Sequence, residues 1–478
     1  MRCEIDYVSS RTRSKIRCNY NAEVIKAAGQ AFTAYGCNVE EALVGDLEVL
    51  SLNTKENLQA SMNRDPLSYH EAMSSTDSER WRLATLEEWG AILSNGTFQA
   101  FEQQSMTSGQ DDSISDHELG RLPINVPAGT KVISSKWVYK KKINPDGTTR
   151  YKVRLVIRGF EQVEGTDFGE TYAPVSKLTT FRMLMSIAAR HGWAIDHMDV
   201  TTAFLNPKID CDEVYMSLPP GMDWIDPKLF NRGVRIVRLR KALYGLRQAP
   251  KLWFDEINGF LLSIGFKPSA ADPNLYIKGP VILLLYVDDM IIVDCSFVRY
   301  PTSGNRPEVS LKDITALSPG AQVKELLTAR YKMTDLGKTR RFLGIEVIRD
   351  DNNIILAQNR YFDAVLRRFR MEDAHEVKSP MDANVQLDNT KCEDRKADTA
   401  LYQSIVGSPM YVALATRPDI SYCVTTLSRY NKDPLQMHLT AAKRVLRYLK
   451  YTRNYGIHYS KDSQGSTLGF TDSDWAGK

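Results

Sequence analysis

Hydrophobic and polar residues alternate along two stretches that follow Lys131. The segments "KVISSKWVYKKK" and "TTRYKVRLVIRGF" flank "INPDG", which is rich in turn-forming residues. Alternation with a period of two is typical of half-buried strands, and Pro, Asp and Gly favour a turn. The pattern therefore predicts a β-hairpin, with Lys152 and Arg154 on one face of its second strand and Val153 and Leu155 on the other.

The first strand of this hairpin carries Lys136, Lys140 and Lys142 at positions of one parity. One face of the hairpin can thus pack against the protein while the other face is basic. Two interpretations stay open. The basic face is solvated surface, or its Lys and Arg side chains neutralise phosphate oxygens of a nucleic acid or a triphosphate.

Apolar residues at helical spacing predict helices in other parts of the chain. These helices fall within residues 65–93, 179–192 and 239–266 and in most of the chain after about residue 400. Asp77 is predicted to cap the first long helix. The predicted apolar face of that helix consists of Trp81, Leu83, Leu86, Trp89 and Leu93.

The composition is that of a globular protein, since 43% of the 478 residues are hydrophobic and 25% are charged. No apolar run approaches the ~18–20 residues that span a bilayer. The first residues also lack the apolar core of a secretory signal, so we expect an intracellular protein. The seven cysteines form no CxxC pair, which argues against a zinc site or a disulfide framework. A net charge of +4 is too small to establish a nucleic-acid partner by itself.

Two adjacent carboxylates, Asp288 and Asp289, interrupt the apolar stretch "LLLYVDDMIIV". Asp is common in turns, so a hairpin turn with no further role is the ordinary interpretation. Two ionised carboxylates at the end of buried strands also repel one another and lose hydration. A divalent cation relieves both costs, because Mg²⁺ takes carboxylate oxygens as ligands. Asp199, after another predicted strand, is the natural third carboxylate, and three such groups can hold two ions for phosphoryl transfer.

Several motifs, in the order they occur here, resemble copia-type LTR-retrotransposon polyproteins. They are "YKVRLVIRGF", "MDVTTAFLN", "LYGLRQAPKLWF", "YVDD", "FLGIEV" and "LATRPDISYCVTTLSRY". The "YVDD" between apolar strands is similar to the catalytic loop of reverse transcriptases. The resemblance covers roughly residues 65–470. It implies an α+β right-hand polymerase with fingers, palm and thumb, followed by a mostly helical connection segment.

This resemblance implies a metal site. Asp199, Asp288 and Asp289 match the metal-binding carboxylates of the palm, and Val200 would lend a backbone carbonyl. The expected cofactor is a pair of Mg²⁺ ions, with Mn²⁺ as a substitute.

The resemblance also implies a nucleotide site. Phe204 matches the bulky residue that excludes a ribose 2′-OH, although a plain core role is the alternative. Lys152 and Arg154 are similar to the fingers residues that hold the triphosphate. Gly245 and Gln248 match the segment near the templating base and the incoming nucleotide, where Gly permits close backbone approach; Gly245 ending a turn is the alternative.

Four parts of the chain follow from the resemblance. They are an unassigned segment (1–64), fingers and palm (65–345), thumb and connection (346–464) and the start of a ribonuclease H domain (465–478). Two stretches, 103–120 and 296–321, depart from the family pattern, either as tolerated surface loops or as marks of a decayed copy. Asp472 matches the first ribonuclease H carboxylate. No ribonuclease H activity is expected, because the other acidic residues would come from later strands.

The leading expectation is RNA-directed DNA polymerisation, in which a primer 3′-OH attacks the α-phosphate of a dNTP. The expected partners are an RNA or DNA template with its primer and dNTPs, with no membrane. A homodimer or other segments of the polyprotein are further candidate partners. The alternative is a catalytically inactive remnant that binds nucleic acid in a salt-dependent way without extending a primer.

Overall fold

The computed structural model describes twelve parts of the chain. They are residues 5–7, 14–16, 65–100, 131–143, 148–209, 214–296, 317–350, 353–382, 385, 387, 395–460 and 469–471. Most of the stretches 103–120 and 296–321, and Asp472, lie outside the described residues, so the predictions about them stay predictions.

Both strands and helices occur along these parts. The strands are β1 Ile5–Tyr7, β2 Ser14–Ile16, β3 Phe98–Ala100, β4 Val132–Ile133, β5 Ser135–Ile143, β6 Thr149–Ile157, β7 Ala194–Val200, β8 Tyr215–Ser217, β9 Ile236–Leu239, β10 Lys267–Pro268, β11 Leu275–Lys278, β12 Val281–Tyr286, β13 Asp289–Asp294, β14 Met333–Lys338, β15 Arg341–Phe342, β16 Ile345–Asp350, β17 Asn353–Ala357, β18 Ile457–Ser460 and β19 Gly469–Thr471. The helices are α1 Tyr69–Ser74, α2 Ser78–Ser94, α3 Leu178–His191, α4 Met222–Ile225, α5 Pro227–Asn231, α6 Ala249–Ser263, α7 Pro319–Arg330, α8 Asn359–Arg368, α9 Thr399–Ala415, α10 Ser421–Ser428 and α11 Gln436–Tyr451.

A six-stranded antiparallel sheet lies at the centre, in the order β10-β11-β12-β13-β7-β14. Its middle strands are apolar on both faces. Leu284 and Ile291 pack with α3 on one face, while Leu283 and Ile292 pack with α6 and α7 on the other. Because both of their faces are covered, β12 and β13 read as near-continuous apolar runs, with Asp289 and Asp294 at the two ends of β13.

The predicted basic hairpin is confirmed as a two-stranded ribbon, in which β5 pairs with β6 over their full lengths. Trp137, Tyr139, Val153 and Leu155 are buried on one face. That face packs on α2, where the rings of Trp81 and Tyr139 lie 5.4 Å apart in an edge-to-face arrangement. The alternation in the sequence therefore corresponds to one packed face and one accessible face.

The predicted apolar face of α2 is wrong in part. Trp81 and Trp89 are buried, but Leu83, Leu86 and Leu93 are 64%, 43% and 48% exposed. The helix turns its two Trp rings toward the ribbon, and the rings decide which side is covered because they are its largest apolar groups.

The predicted cap of α2 is also corrected. Asp77 stands at the N-cap position but makes no capping hydrogen bond with its side chain. Its Oδ2 instead accepts a hydrogen bond from the Lys141 Nζ at 2.7 Å. The Asp77 side chain thus forms an ion pair with Lys141 of the ribbon and does not cap the helix.

The region after residue 400 is mostly helical, as predicted. Helices α8 to α11 share one apolar cluster, and strands β15 to β18 form a separate four-stranded sheet beside it. Two smaller sheets complete the described parts, in the orders β3-β9-β8-β4 and β1-β2-β19. No helix within the described ranges is long and apolar enough to cross a membrane.

Candidate active site

The two adjacent aspartates lie at a tight turn, as predicted. Strand β12 ends at Tyr286 and β13 begins at Asp289, and these two residues are paired across the hairpin. Val287 has a φ of 55°, a left-handed conformation that is costly for a β-branched residue. The indole Nε1 of Trp253 donates a hydrogen bond to the Val287 carbonyl at 2.7 Å and so helps to hold this strained turn. The turn directs the backbone of Asp288 to the edge of the buried sheet.

Asp199 lies directly opposite this turn. In the antiparallel pair of β7 and β13, Asp199 is the register partner of Asp289. Side chains directly opposite one another have their Cβ atoms about 5 Å apart. The backbone N–H of Val200 donates to the carbonyl of Asp288 at 2.9 Å, which extends the pairing to the turn itself. Residues about ninety positions apart in the chain thus meet at one rim of the sheet.

The electrostatics of the three carboxylates reflect this convergence. Burial, together with the charges of Asp289 and Asp199, raises the pKa of Asp288 to about 6. Burial and the charge of Asp289 likewise raise the pKa of Asp199, while Lys152 opposes that rise. The side chains around these carboxylates therefore supply too little positive charge to balance the negative charge at the rim of the sheet.

His197 is a site residue that the sequence reasoning missed. Its Nε2 lies 2.9 Å from Asp289 Oδ1. The signal was present, since His197 precedes Asp199 by two positions in β7 and therefore shares its face. The contact draws one oxygen of Asp289 toward the imidazole.

The donor chemistry at this rim suits a hard divalent cation. Three carboxylates supply the oxygen ligands that Mg²⁺ prefers, and the pKa values of Asp199 and Asp288 are raised first by burial and then by neighbouring negative charge, both of which a cation would offset. Among the described residues, no three acidic, His or Cys side chains already stand as a ready-made metal cage. One local reason for this is that Asp289 Oδ1 already contacts His197 Nε2.

The accessible face of the ribbon brings like charges together. Lys140 is paired with Lys152 across the two strands, and Lys142 is paired with Arg150. Such cross-strand pairs of equal charge are destabilising unless an anion is bound between them. Burial, together with the charge of the neighbouring Arg154, lowers the pKa of Lys152 to about 8. This face is thus built at a cost that a bound phosphate group would offset.

Arg154 connects the ribbon to the rim of the sheet. Its guanidinium lies 4.9 Å from the centre of the Tyr244 ring. Its Nε is buried and has no hydrogen-bond partner within the described ranges. The Tyr244 ring in turn lies 5.3 Å from the Phe204 ring, edge to face. Phe204 is only partly buried and contacts two core clusters, so the alternative of a core role holds for part of its surface.

Gly245 and Gln248 stabilise the loop that contains them in this structure. Gly245 has a φ of +94°, and a Cβ there would stand 2.1 Å from the Ile157 carbonyl oxygen, so only glycine is accommodated. Gln248 is fully buried. Its Nε2 donates to the carbonyl of Asp167 at 3.0 Å, and its Oε1 accepts from Gln162 at 3.0 Å. Its side chain holds the loop together and is not available to a ligand in this conformation.

Glu88 is a second residue that the sequence reasoning missed. It is 9% exposed, and its Oε1 accepts a hydrogen bond from the backbone N–H of Leu155 at 3.3 Å. Burial raises the pKa of Glu88 to about 7, against the opposing influence of Arg154 and Lys152. Its position on α2 gave no signal, because a charged residue on a helix is ordinarily assigned to the solvent side.

A comparison with known protein families identifies the class to which this site belongs. The profile of the reverse transcriptase (RNA-dependent DNA polymerase) family matches residues 122–301 and 308–383, which is more than half of the chain. The matched region contains the ribbon, the aromatic pair Phe204 and Tyr244, and all three carboxylates. The chain belongs to the reverse transcriptase family, and within it to the copia-type retrotransposon enzymes, whose polyproteins are its relatives.

Three relatives illustrate that membership. The retrovirus-related Pol polyprotein from transposon RE1 of Arabidopsis thaliana is 36% identical over 411 residues, 85% of this chain and 25% of that protein. The Pol polyprotein from transposon TNT 1-94 of Nicotiana tabacum is 32% identical over 435 residues, 88% of this chain and 29% of that protein. The putative transposon Ty5-1 protein of Saccharomyces cerevisiae is 34% identical over 282 residues, 58% of this chain and 82% of that protein. The chain thus spans about a quarter of the length of the plant polyproteins it matches.

Proposed function

We propose that this chain is an RNA-directed DNA polymerase that adds deoxynucleotides to a primer 3′-OH. The observation that carries the proposal is the register of β7 and β13, in which Asp199 lies opposite Asp289 with Asp288 in the adjoining turn. In this interpretation the central sheet is the palm, the ribbon belongs to the fingers, and the helices after residue 400 belong to the thumb and connection.

Asp199, Asp288 and Asp289 would hold two Mg²⁺ ions, with the carbonyl of Val200 as a further ligand. The ions, when bound, would supply positive charge to the attacking and leaving oxygens of the phosphoryl transfer. The protein contributes a rigid frame, because the three carboxylates are fixed by strand pairing and by the turn. His197 would orient Asp289 through the contact at Nε2.

The ribbon and the aromatic residues would form the nucleotide site. Lys152 and Arg154 would neutralise the triphosphate, which relieves the repulsion between Lys152 and Lys140. Phe204 would stand against the sugar and exclude a 2′-OH. Gly245 and Gln248 would act indirectly, by fixing the loop that carries Tyr244 against the end of β6.

Incorporation of dTTP on a poly(rA)/oligo(dT) template–primer tests the proposal, with Mg²⁺ or Mn²⁺ supplied. We expect wild type to extend the primer and Asp288→Asn to lose at least a thousandfold in rate, because the substitution removes a charged ligand while keeping the shape of the side chain. Asp255→Asn is the matched control, since that carboxylate is 52% exposed in a surface ion pair with Lys251. Folded wild type and Asp288→Asn with equally absent incorporation would end the catalytic proposal.

The non-catalytic alternative makes a different forecast for the same proteins. A nucleic-acid-binding remnant would bind the template–primer through the basic face of the ribbon and would not extend it. Binding without extension by wild type, with Asp288→Asn binding equally well, would favour that alternative.

A further inference from the structure

Three side chains from three separate elements form one continuous stack at the edge of the proposed nucleotide site. Arg154 of β6 lies over the Tyr244 ring at 4.9 Å, and the Tyr244 ring meets the Phe204 ring at 5.3 Å with an interplanar angle of 67°. Tyr244 therefore stands between the residue proposed to face the sugar and a residue proposed to face the triphosphate.

The backbone of Tyr244 is held more firmly than that of an ordinary loop residue. Its carbonyl accepts a hydrogen bond from the N–H of Ile157, the last residue of β6, at 2.9 Å. The next residue, Gly245, touches the Ile157 carbonyl so closely that no side chain is admitted. The Tyr244 ring thus projects from a backbone that is locked to the ribbon.

Phe204 is only partly buried, against two core clusters. It belongs to the short turn Ala203–Leu205, which follows Thr202, a non-glycine residue with a φ of 57°. A ring can exclude a hydroxyl group only if it cannot swing away from it, so the Phe204 barrier requires a neighbour that fixes its position. Tyr244 is the aromatic ring that contacts Phe204 edge to face in this structure.

We propose that Tyr244 is a specificity-determining residue, because its ring holds Phe204 in place against a ribose 2′-OH and packs against the guanidinium of Arg154, which is proposed to face the triphosphate. The inference rests on the proposed polymerase function and names the part of the site that distinguishes deoxyribonucleotides from ribonucleotides. Both contacts are made by the ring of Tyr244, so the proposed role belongs to the ring and not to the hydroxyl.

Two nucleotides that differ only at the 2′ position provide the test, namely dTTP and 5-methyluridine triphosphate on poly(rA)/oligo(dT). The measured quantity is the ratio of their kcat/KM values. We expect Tyr244→Leu to lower this ratio about tenfold, and Tyr244→Phe, which keeps the ring, to leave the ratio as in wild type. Tyr244→Leu added to Phe204→Ala should lower the ratio no further than Phe204→Ala alone, because the two residues act as one unit.

The matched control is Tyr422→Leu, a substitution of a Tyr that is 73% exposed on α10. If Tyr244→Leu has a lower melting temperature than wild type, Tyr244→Met is used as a second variant, with a larger non-aromatic side chain. An unchanged ratio in both Tyr244 variants, while Phe204→Ala abolishes discrimination, would overturn the proposal.

A binding measurement separates failure of this inference from failure of the proposed function. Dissociation constants for the same two nucleotides are measured on a template–primer whose primer ends in a dideoxynucleotide, so that no chemistry occurs. If wild type discriminates in binding but does not extend a normal primer, the polymerase proposal fails and the Tyr244 variants are still decided by the ratio of dissociation constants. Folded wild type that binds neither nucleotide overturns both proposals.

Discussion

At the scale of single residues, the site is dominated by charges held where water is scarce. Asp288, Glu88 and Lys152 all have pKa values moved toward neutrality, in each case with burial as the leading cause. Asp288 and Lys152 are proposed to meet ligands of opposite charge. Glu88 lies behind the ribbon, bonded to its backbone, and has no such role, so its burial has consequences for stability alone.

Glu88→Gln tests that interpretation. Because the folded-state pKa of Glu88 is about 7 against an ordinary value of 4.5, the neutral carboxyl is favoured by folding. The stabilising effect is therefore fully present below about pH 4.5 and is lost as the pH rises through 7. We expect Glu88→Gln to gain stability relative to wild type between pH 5 and pH 8, by up to about 3 kcal/mol.

Urea unfolding at several pH values measures this difference. Glu87→Gln is the neighbouring control, because Glu87 is exposed and its substitution should leave the pH dependence as in wild type. Parallel stability curves for wild type and Glu88→Gln would mean that the Glu88 carboxyl is ionised in the folded protein.

At the scale of elements, the end of β6 and the loop that carries Tyr244 depend on one close backbone crossing. A Cβ added at Gly245 would stand 2.1 Å from the Ile157 carbonyl oxygen, and one added at Gly159 would stand 2.0 Å from the Gly245 carbonyl oxygen. Two glycines from different segments thus let the ribbon approach the loop. The motif "YGLRQAP" is built around this crossing as much as around any ligand.

Gly245→Ala should therefore destabilise the protein by at least about 2–3 kcal/mol, since the substituent meets both a left-handed φ and a carbonyl oxygen. Thermal and urea unfolding give the value. Gly259→Ala is the matched control, because Gly259 lies within α6 with open space around it and alanine there should stabilise the helix by up to about 1 kcal/mol. Equal stability of the two variants would contradict the tight crossing.

A second element is held by one buried arginine. Arg417, in the motif "LATRPDISY", is 1% exposed, bonds both oxygens of Asp419 and donates to the Thr452 carbonyl at 3.0 Å. It ties the turn after α9 to the end of α11. This arginine is therefore structural in the described fold, although its charge and its place in a family motif would equally suit a ligand site.

At the scale of the whole molecule, the basic residues of α11 and those of the ribbon differ in the groups they contact. On α11, Lys450 donates to the Ala374 carbonyl at 3.0 Å and Arg444 donates to Ser379 at 2.9 Å, so both are used inside the chain. On the ribbon, Lys140 and Lys142 face other cations across the strands. A net charge of +4 does not distinguish these groups, but their partners do.

Salt dependence of template–primer binding distinguishes them experimentally. We expect Lys140→Ala combined with Lys142→Ala to make the slope of log K against log salt shallower, by about 0.9 for each lost phosphate contact with a duplex. Arg444→Ala combined with Lys450→Ala removes the same number of charges and should lower the melting temperature while leaving the slope as in wild type. A slope that both double variants reduce equally would mean that binding responds only to net charge.

Local patterns predicted the elements of the site well. The hairpin with Asp288 and Asp289 at its turn, the basic ribbon and the apolar helices all follow from periodicity and turn chemistry, because these depend on neighbours in the chain. The covered side of α2 did not follow. Trp81, Leu83, Leu86 and Trp89 all fit a helical spacing, and only the packing of the ribbon on α2 decides which of them are buried.

By itself, the sequence determined the strand that carries Asp199, the turn that carries Asp288 and Asp289, the alternation of charge on the ribbon and, through its motifs, the family. The tertiary structure alone decided that Asp199 lies opposite Asp289, that His197 contacts Asp289, that Tyr244 joins Arg154 to Phe204, and that Glu88 and Gln248 are buried. The physical reason is that strand pairing and close backbone crossings join residues far apart in the chain. No local pattern of polar and apolar residues encodes which distant residue will lie beside a charged group or pack against an aromatic ring.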